Sequence, residues 1–417
     1  MSLDSRSASA SARRAAACLA LALACLGLGW PSRGWAQAGG SCGAISLQAG
    51  QIRTASPLTA EYVGSEAGKR CLVEIVAVVE KNRLVRAVTV SFRASDSERS
   101  DGKGLALARS VGDALVQAGL PRARVFAVSA RAAAGEASGI VVRYTERAPD
   151  NVVARITGLQ GTVRIGPDDK SLRPGELAMP ILADDVIETS SDGQALLQLK
   201  DGSGIRLQRN TQIKMAKVAF ADANSAEAGQ RSVRVDVLRG QIEADVRKAG
   251  AGSSFEASSR VAVASVRGTR LRFGQDEAGI SRLETLTGLV LLGSATDPSA
   301  PPVAVAAGQG ALVSSEGKVE APQPLPVAPR VDRPLHGPLP ADRELHYMAV
   351  PGAAQYRVEL ARDADFLDAA QERLSPTSSL VLREPLPAGK WFFRVSAKNA
   401  AGFFGPPSQV YAFDVRP

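Results

Sequence analysis

The sequence predicts a multidomain, mainly β protein: a small α/β sandwich, then an all-β domain, then a β-sandwich. Three observations carry this. From about Ala154 to Val319, short apolar runs recur roughly every 8–12 residues, the spacing of a sandwich, roll or barrel, with glycine or Asp-Gly turns between them. Before that stretch, about Ala44 to Tyr144 mixes helical and strand periodicities. After it, Tyr356 to Leu360 and Trp391 to Ala397 alternate with the period of two of a half-buried strand. A chain of 417 residues is also too long for one ordinary domain.

Residues 1–36 read as a secretory signal peptide. Arg13 and Arg14 form a basic start, Ala15 to Trp30 is a run of apolar or small residues, and small residues follow near Ala36. The run is too short for a confident transmembrane helix, and no later stretch approaches one, so no integral membrane segment is expected after cleavage. Residues 1–36 carry four arginines and one aspartate, so their removal takes the net charge from +8 to +5. That mild, dispersed charge suits solubility or anionic envelope polymers and excludes a concentrated nucleic-acid stripe. Two of the four cysteines leave with the signal. Cys42 and Cys71 remain, and an even pair in an oxidising compartment is most simply a disulfide. Its loop of about 30 residues gives a stabilisation on the order of 3 kcal/mol.

The α/β domain is placed at residues 40–150. Cys71 to Lys81 has helical spacing, Arg86 to Phe92 alternates as a strand, and Leu105 to Leu120 is an amphipathic helix ended by Gly119. Val125 to Ala130 and Ile140 to Tyr144 read as strands. The strand Ala87 to Arg93, its polar loop and the helix start Leu105-Ala106-Leu107-Ala108-Arg109-Ser110 weakly resemble the OmpA-like peptidoglycan-binding domain. That resemblance implies that Asp96 and Arg109 bind the diaminopimelate of a cell-wall peptide. The Gly-His-Thr that precedes the aspartate in that family is replaced here by Phe92-Arg93-Ala94-Ser95.

The all-β domain is placed at residues 151–321. Gly161-Thr162-Val163, Leu172-x-x-Gly175, Asp185-Val186-Ile187-Glu188-Thr189, Asp201-Gly202-Ser203, Val237-Leu238-Arg239-Gly240, Val266-Arg267-Gly268-Thr269, Gly288-Leu289-Val290 and Ala307-Gly308-Gln309 follow in order. Together they resemble the FecR domain, the periplasmic half of a ferric-citrate signalling regulator. In physical terms these are turn positions between strands. Residues 322–344 are read as an extended linker, because Pro322 to Pro340 holds seven prolines. Residues 345–417 resemble a fibronectin type III domain on the strand Trp391-x-Phe393-x-Val395-x-Ala397-x-Asn399. Trp391 stands where that family has tyrosine, and it is expected to be core.

Bond chemistry has little to work with. The only histidines, His336 and His346, have no nucleophile or metal-ligand pattern around them. Asp184-Asp185 is read as a solvated turn, and Asp363, Asp365 and Asp368 lack the glycine of a calcium loop. Arg267 and Arg270 beside Gly268 are a candidate patch for an anionic ligand. No cofactor or metal is expected, and the chain is read as a non-enzyme. The first functional reading is a scaffold or binding protein in the periplasm, or on the surface, of a Gram-negative bacterium. Its partners would be other envelope proteins and peptidoglycan, held by linked modules that raise effective concentration. The alternative, which the FecR resemblance implies, is a periplasmic sensor or regulator acting through a membrane-spanning partner.

Overall fold

The computed structural model describes residues 42–48, 50–55, 57–82, 84–94, 104–132, 138–146, 151–221, 230–331, 338–339, 343–366 and 370–416. The signal-peptide reading of 1–36, the candidate Asp96 and His336 lie outside these residues. Residues from Ser41 onward form one compact unit.

The N-terminal module is a five-stranded sheet under helices. Strands β1 (Ser46–Gln48), β2 (Gln51–Arg53), β3 (Ala87–Ala94), β4 (Val125–Arg131) and β5 (Gly139–Thr145) lie in the order β1-β2-β5-β3-β4. Strands β3 and β4 are parallel, which demands a crossover. Helices α1 (Ala60–Gly64) and α2 (Glu66–Lys81) precede β3, and α3 (Gly104–Gln117) supplies that crossover. Helix α2 begins five residues before the expected Cys71, because Ser65 caps it by accepting the Gly68 N–H. Cys71, Leu72, Ile75, Val76 and Val79 form its buried stripe. The expected Cys42–Cys71 disulfide is present and fastens the start of the module to α2. Helix α3 ends as the sequence requires. Gly119 takes φ +113°, its N–H reaches Val116 O, and the Leu120 N–H reaches Leu115 O, the paired bonds of a Schellman cap.

The central module is a serial hairpin framework. It runs through β6 (Val152–Gln160), β7 (Val163–Gly166), β8 (Arg173–Pro174), β9 (Pro180–Leu182), β10 (Val186–Thr189) and β11 (Gln194–Leu199). It continues with β12 (Gly204–Leu207), β13 (Gln212–Phe220), β14 (Arg231–Asp245), β15 (Ser254–Ser258), β16 (Ala262–Val266) and β17 (Arg270–Gln275). It closes with β18 (Ser281–Thr285), β19 (Leu289–Ser294), β20 (Val303–Ala306), β21 (Gln309–Val313) and β22 (Gln323–Pro324). Pairing sorts these strands into two sheets. One, the docked sheet, runs β9-β6-β11-β12-β14-β17-β18-β21-β22. The other, the open sheet, runs β8-β7-β10-β13-β14-β15-β16-β19-β20. Their facing apolar residues, among them Ile156, Leu197, Leu207, Val235, Phe273 and Leu283, make one core.

Strand β14 belongs to both sheets, and the motif Val237-Leu238-Arg239-Gly240 marks the transfer. Residues up to Arg239 pair with β13, whereas Gly240 to Asp245 pair with β17. Gly240 sits at φ +79°, and a Cβ there would lie 2.6 Å from Asn210 O, so only glycine fits. Gly268 in the Val-Arg-Gly-Thr motif is similar: φ is +70°, with the Lys248 Cα 2.9 Å from where a Cβ would stand. These two motifs are therefore backbone devices that carry the chain from one sheet to the other.

The third module has strands β23 (Glu344–His346), β24 (Ala353–Ala361), β25 (Gln371–Ser375), β26 (Ser379–Val381), β27 (Gly389–Asn399) and β28 (Tyr411–Val415). They form a sheet β25-β24-β27-β28 and a facing pair β23-β26, with Trp391, Phe393, Val395 and Phe413 in the core. Trp391 is 1% exposed, and its indole N–H donates to Pro387 O. Stacking a sugar on it is therefore excluded.

The linker reading needs correction over residues 322–331. Gln323 and Pro324 pair with β21, Leu325 and Val331 are buried, and the Met348 N–H donates to Arg330 O. Proline removes donors, but alternate residues of an extended segment still offer carbonyls and side chains to two neighbours at once. The segment is packed, not a free spacer.

Candidate functional site

Both flanking modules sit on the outer face of the docked sheet. On one side, the edge strand β4 is met by Gln198 of β11, which donates to Val125 O and accepts from the Ala127 N–H. Arg155 of β6 lies over the Phe126 ring at 5.2 Å, a cation–π contact. Leu196 packs into the N-terminal core. An edge strand with open hydrogen bonds is thus covered by a side-chain amide.

On the other side, the third module presents backbone to charged side chains. Gln160 and Ala370 exchange two hydrogen bonds, 2.8 and 3.1 Å. Arg209 donates to Ala370 O, and Arg206 donates to the carbonyls of Asp365 and Phe366. Arg272 of β17 is the central anchor. It is 2% exposed, faces Glu243 and Glu284 on the two neighbouring strands, and reaches Phe404 O and Gly405 O at 3.2 Å. Glu284 accepts the Phe404 N–H in return at 2.6 Å. These partners follow from register, since Glu243 lies opposite Arg272 and Arg272 opposite Glu284.

A second buried pair adjoins the first. Arg394 of β27 holds Glu359 of β24 through two bonds of 2.8 and 2.7 Å. Burial alone would raise the Glu359 carboxyl, but the charges of Arg394 and Arg357 outweigh it and hold it down to about 2. Burial likewise opposes ionisation of Glu243, and Arg272, Arg270 and Arg394 overcome it, leaving the carboxyl far below the usual range.

Where the three modules meet there is a cavity of about 470 Å³. Strands β11, β12, β14 and β17 form its floor. Helix α3 and the 3₁₀ turn Arg122–Arg124 form one wall, and the loop at Ala364 and Asp365 forms the other. The Asp365 carboxylate feels the Leu105 N–H in the first turn of α3, which favours its charged form. Burial raises the Asp365 carboxyl above its ordinary value, against the pull of Arg109, Arg206 and Arg394.

The predicted site residues are split by this geometry. Arg109 is exposed on α3 at the rim of the cavity, and the residue proposed to join it, Asp96, lies outside the described residues. Arg267 is exposed at the turn beside Gly268. Arg270 is occupied, because its guanidinium binds Glu243 at 2.9 and 2.5 Å. The structure thus does not make Arg267 and Arg270 one anion patch: an adjoining strand supplies a carboxylate to one of them. Asp184 is exposed at a φ of +71° and pairs with Lys214, as a turn should. Asp185, expected to be solvated with it, is instead buried and accepts the Leu182 N–H. His346 stands 3.5 Å from Glu344. Among the described residues, no three His, Cys, Asp or Glu side chains cluster to hold a metal, and no helix is long and apolar enough to cross a membrane. Sequence reasoning missed Arg206, Glu243, Arg272, Glu284, Glu359 and Arg394. Their signal, charges at alternate positions of strands, is the same one a solvated face gives.

Comparison with known proteins gives the central module its class. Residues 185–291 match the FecR protein family, so the chain carries a FecR domain within a longer hairpin framework, Val152 to Pro324. Among solved structures, a putative anti-sigma factor from Parabacteroides distasonis matches at 16% identity and a TM-score of 0.26, covering 33% of this chain. The chain covers 59% of that protein's length. The fibronectin domains FN1–FN3 of chicken CNTN1 match at 12% identity and a TM-score of 0.19, over 62% of this chain and 100% of theirs. The extracellular domain of the putative hybrid two component system BT4673 from B. thetaiotaomicron matches at 9% identity and a TM-score of 0.16, over 67% and 61%. No curated protein matches.

Proposed function

We propose that the chain is a non-enzymatic regulatory protein of the Gram-negative envelope, working in the periplasm as a sensor or regulator of FecR type through a membrane-spanning partner. The FecR match over 185–291 carries this reading. It favours the regulator over the passive scaffold, which drew on a likeness to peptidoglycan-binding domains that nothing in the comparisons supports. The docking of all three modules in one unit also speaks against loosely tethered binders acting by effective concentration. A regulator benefits from such docking, because a signal felt by one module has packed and hydrogen-bonded elements through which to reach another.

The test is genetic and biochemical together. Deletion of the gene in the source bacterium should change transcription of a limited gene set, restored by the wild-type chain. The purified mature chain should not pellet with peptidoglycan sacculi. An unchanged transcript profile, with pelleting that Arg109→Ala abolishes, would return the assignment to the scaffold.

A further inference from the structure

The junction cavity has the size and the charge to hold a ligand of its own. Its volume, about 470 Å³, lies in the range of small-molecule pockets. Six arginines line it against four carboxylates. Three of the arginines are committed: Arg122 to Asp113, Arg270 to Glu243, and Arg394 to Glu359. Arg247 stands 3.9 Å from Asp113, which already serves Arg122. Two guanidinium groups then remain without an ion pair among the described residues, Arg109 on α3 and Arg206 on β12. Arg206 spends two of its donors on main-chain carbonyls, and Glu243, Glu359 and Asp365 act on its charge without a direct ion pair, against the repulsion of Arg394. Both act on one carboxylate, Asp365, which comes from the third module.

A half-buried guanidinium hydrogen-bonded only to carbonyls gains from an anion that approaches it directly. Guanidinium also has the flat, forked donor set that matches carboxylate and phosphate oxygens. From this arrangement we infer that the cavity is a binding site for a small oxyanion, a phosphate- or carboxylate-bearing solute held between Arg206 and Arg109 and competing with Asp365 for them. Such a solute touches all three modules at once. Its occupancy therefore bears on how firmly the first and third modules are held to the docked sheet, the coupling an effector requires. The inference rests on the cavity and stands whether or not the regulatory reading holds.

The test uses the full chain at fixed ionic strength, with inorganic phosphate and succinate titrated separately by calorimetry and by thermal shift, and sodium chloride as the control. At least one probe should bind saturably with one site per chain and raise Tm. Which probe binds tells phosphate from carboxylate ligands. Arg109→Gln, on an exposed helix position, should weaken binding about tenfold, the loss of one charge-assisted contact. Asp365→Asn should tighten it several-fold by removing the competing carboxylate, a gain that damage to the fold would not give. The inference fails if neither probe binds saturably up to ~10 mM, if chloride reproduces the Tm rise, if Arg109→Gln binds as the wild type does, or if Asp365→Asn binds more weakly.

Discussion

The two sheets of the central module share a core and a strand, yet their outer faces have opposite fates. The docked sheet turns out Arg206, Glu243, Arg272 and Glu284, and this charged face is covered by the other modules. The open sheet turns out Leu238, Leu289 and Leu291, at 43–51% exposure, beside the pairs Arg234–Asp236 and Arg239–Glu188, and among the described residues none of the hydrogen bonds and ion pairs named above ties another module to it. Polarity of an outward face therefore does not report whether it is solvated. What covers the charged face is backbone, presented by Asp365, Phe366, Ala370, Phe404 and Gly405, and backbone needs polar partners when it loses water. A charged, register-matched face supplies them. The exposed leucines carry no such obligation, because single apolar side chains at a surface are ordinary.

The largest contrast between the faces should come from Arg272. Arg272→Ala leaves Glu284 buried without its cation, leaves Glu243 to Arg270 alone, and strands two carbonyls of the third module. The expected loss is about 3–5 kcal/mol, as for one broken partner of a buried ion pair. On the other face, Leu291→Ala should cost under about 0.5 kcal/mol. Urea unfolding of both variants measures the difference, and equal losses would erase the distinction between the sheets.

Acid should separate the faces next. The Glu359 carboxyl is held down to about 2 from an ordinary 4.5, so its share of stability is complete above 4.5 and is lost as pH falls from there towards 2. The full shift corresponds to something on the order of 3 kcal/mol. Glu243 works in the same direction. Asp185 and Asp365 oppose them: burial raises both carboxyls, so their neutral forms favour the fold as pH drops through the raised values. The large depressions at Glu359 and Glu243 outweigh these two, and the urea midpoint should fall between about pH 5 and pH 3. Glu359→Gln should flatten that slope, and a slope kept in full would place the acid sensitivity elsewhere.

Much of the fold was legible in the sequence because it rests on local chemistry. Gly119 ends α3, Gly240 and Gly268 mark turns that only glycine fits, and Cys42 and Cys71 pair. Alternation gave the hairpins and the placement of Trp391 in the core. The site was not legible, for two physical reasons. A charge on an alternating strand looks the same whether it faces water or a docked neighbour, and the pairing of Glu243 with Arg272 exists only once register is fixed. The docking partners on the third module are carbonyls, which every residue has and no side-chain pattern announces. Arg270 shows the same limit from the other side, since its availability was decided by Glu243 on a strand 27 residues away.

Gln198 gives the finest test of the comparison, because it holds the first module rather than the third and does so without charge. Its two bonds to β4 replace the neighbour that an edge strand lacks. Gln198→Ala should cost about 1–2 kcal/mol, the range for neutral hydrogen bonds whose buried partners are left unmet. The loss should be local. Amide exchange at Ala127 should quicken, while amides in β17 and β24, under the Arg272 anchor, keep their protection. Exchange that quickens equally at both places would mean that the two modules leave the docked sheet together and that the face is one cooperative interface, not two.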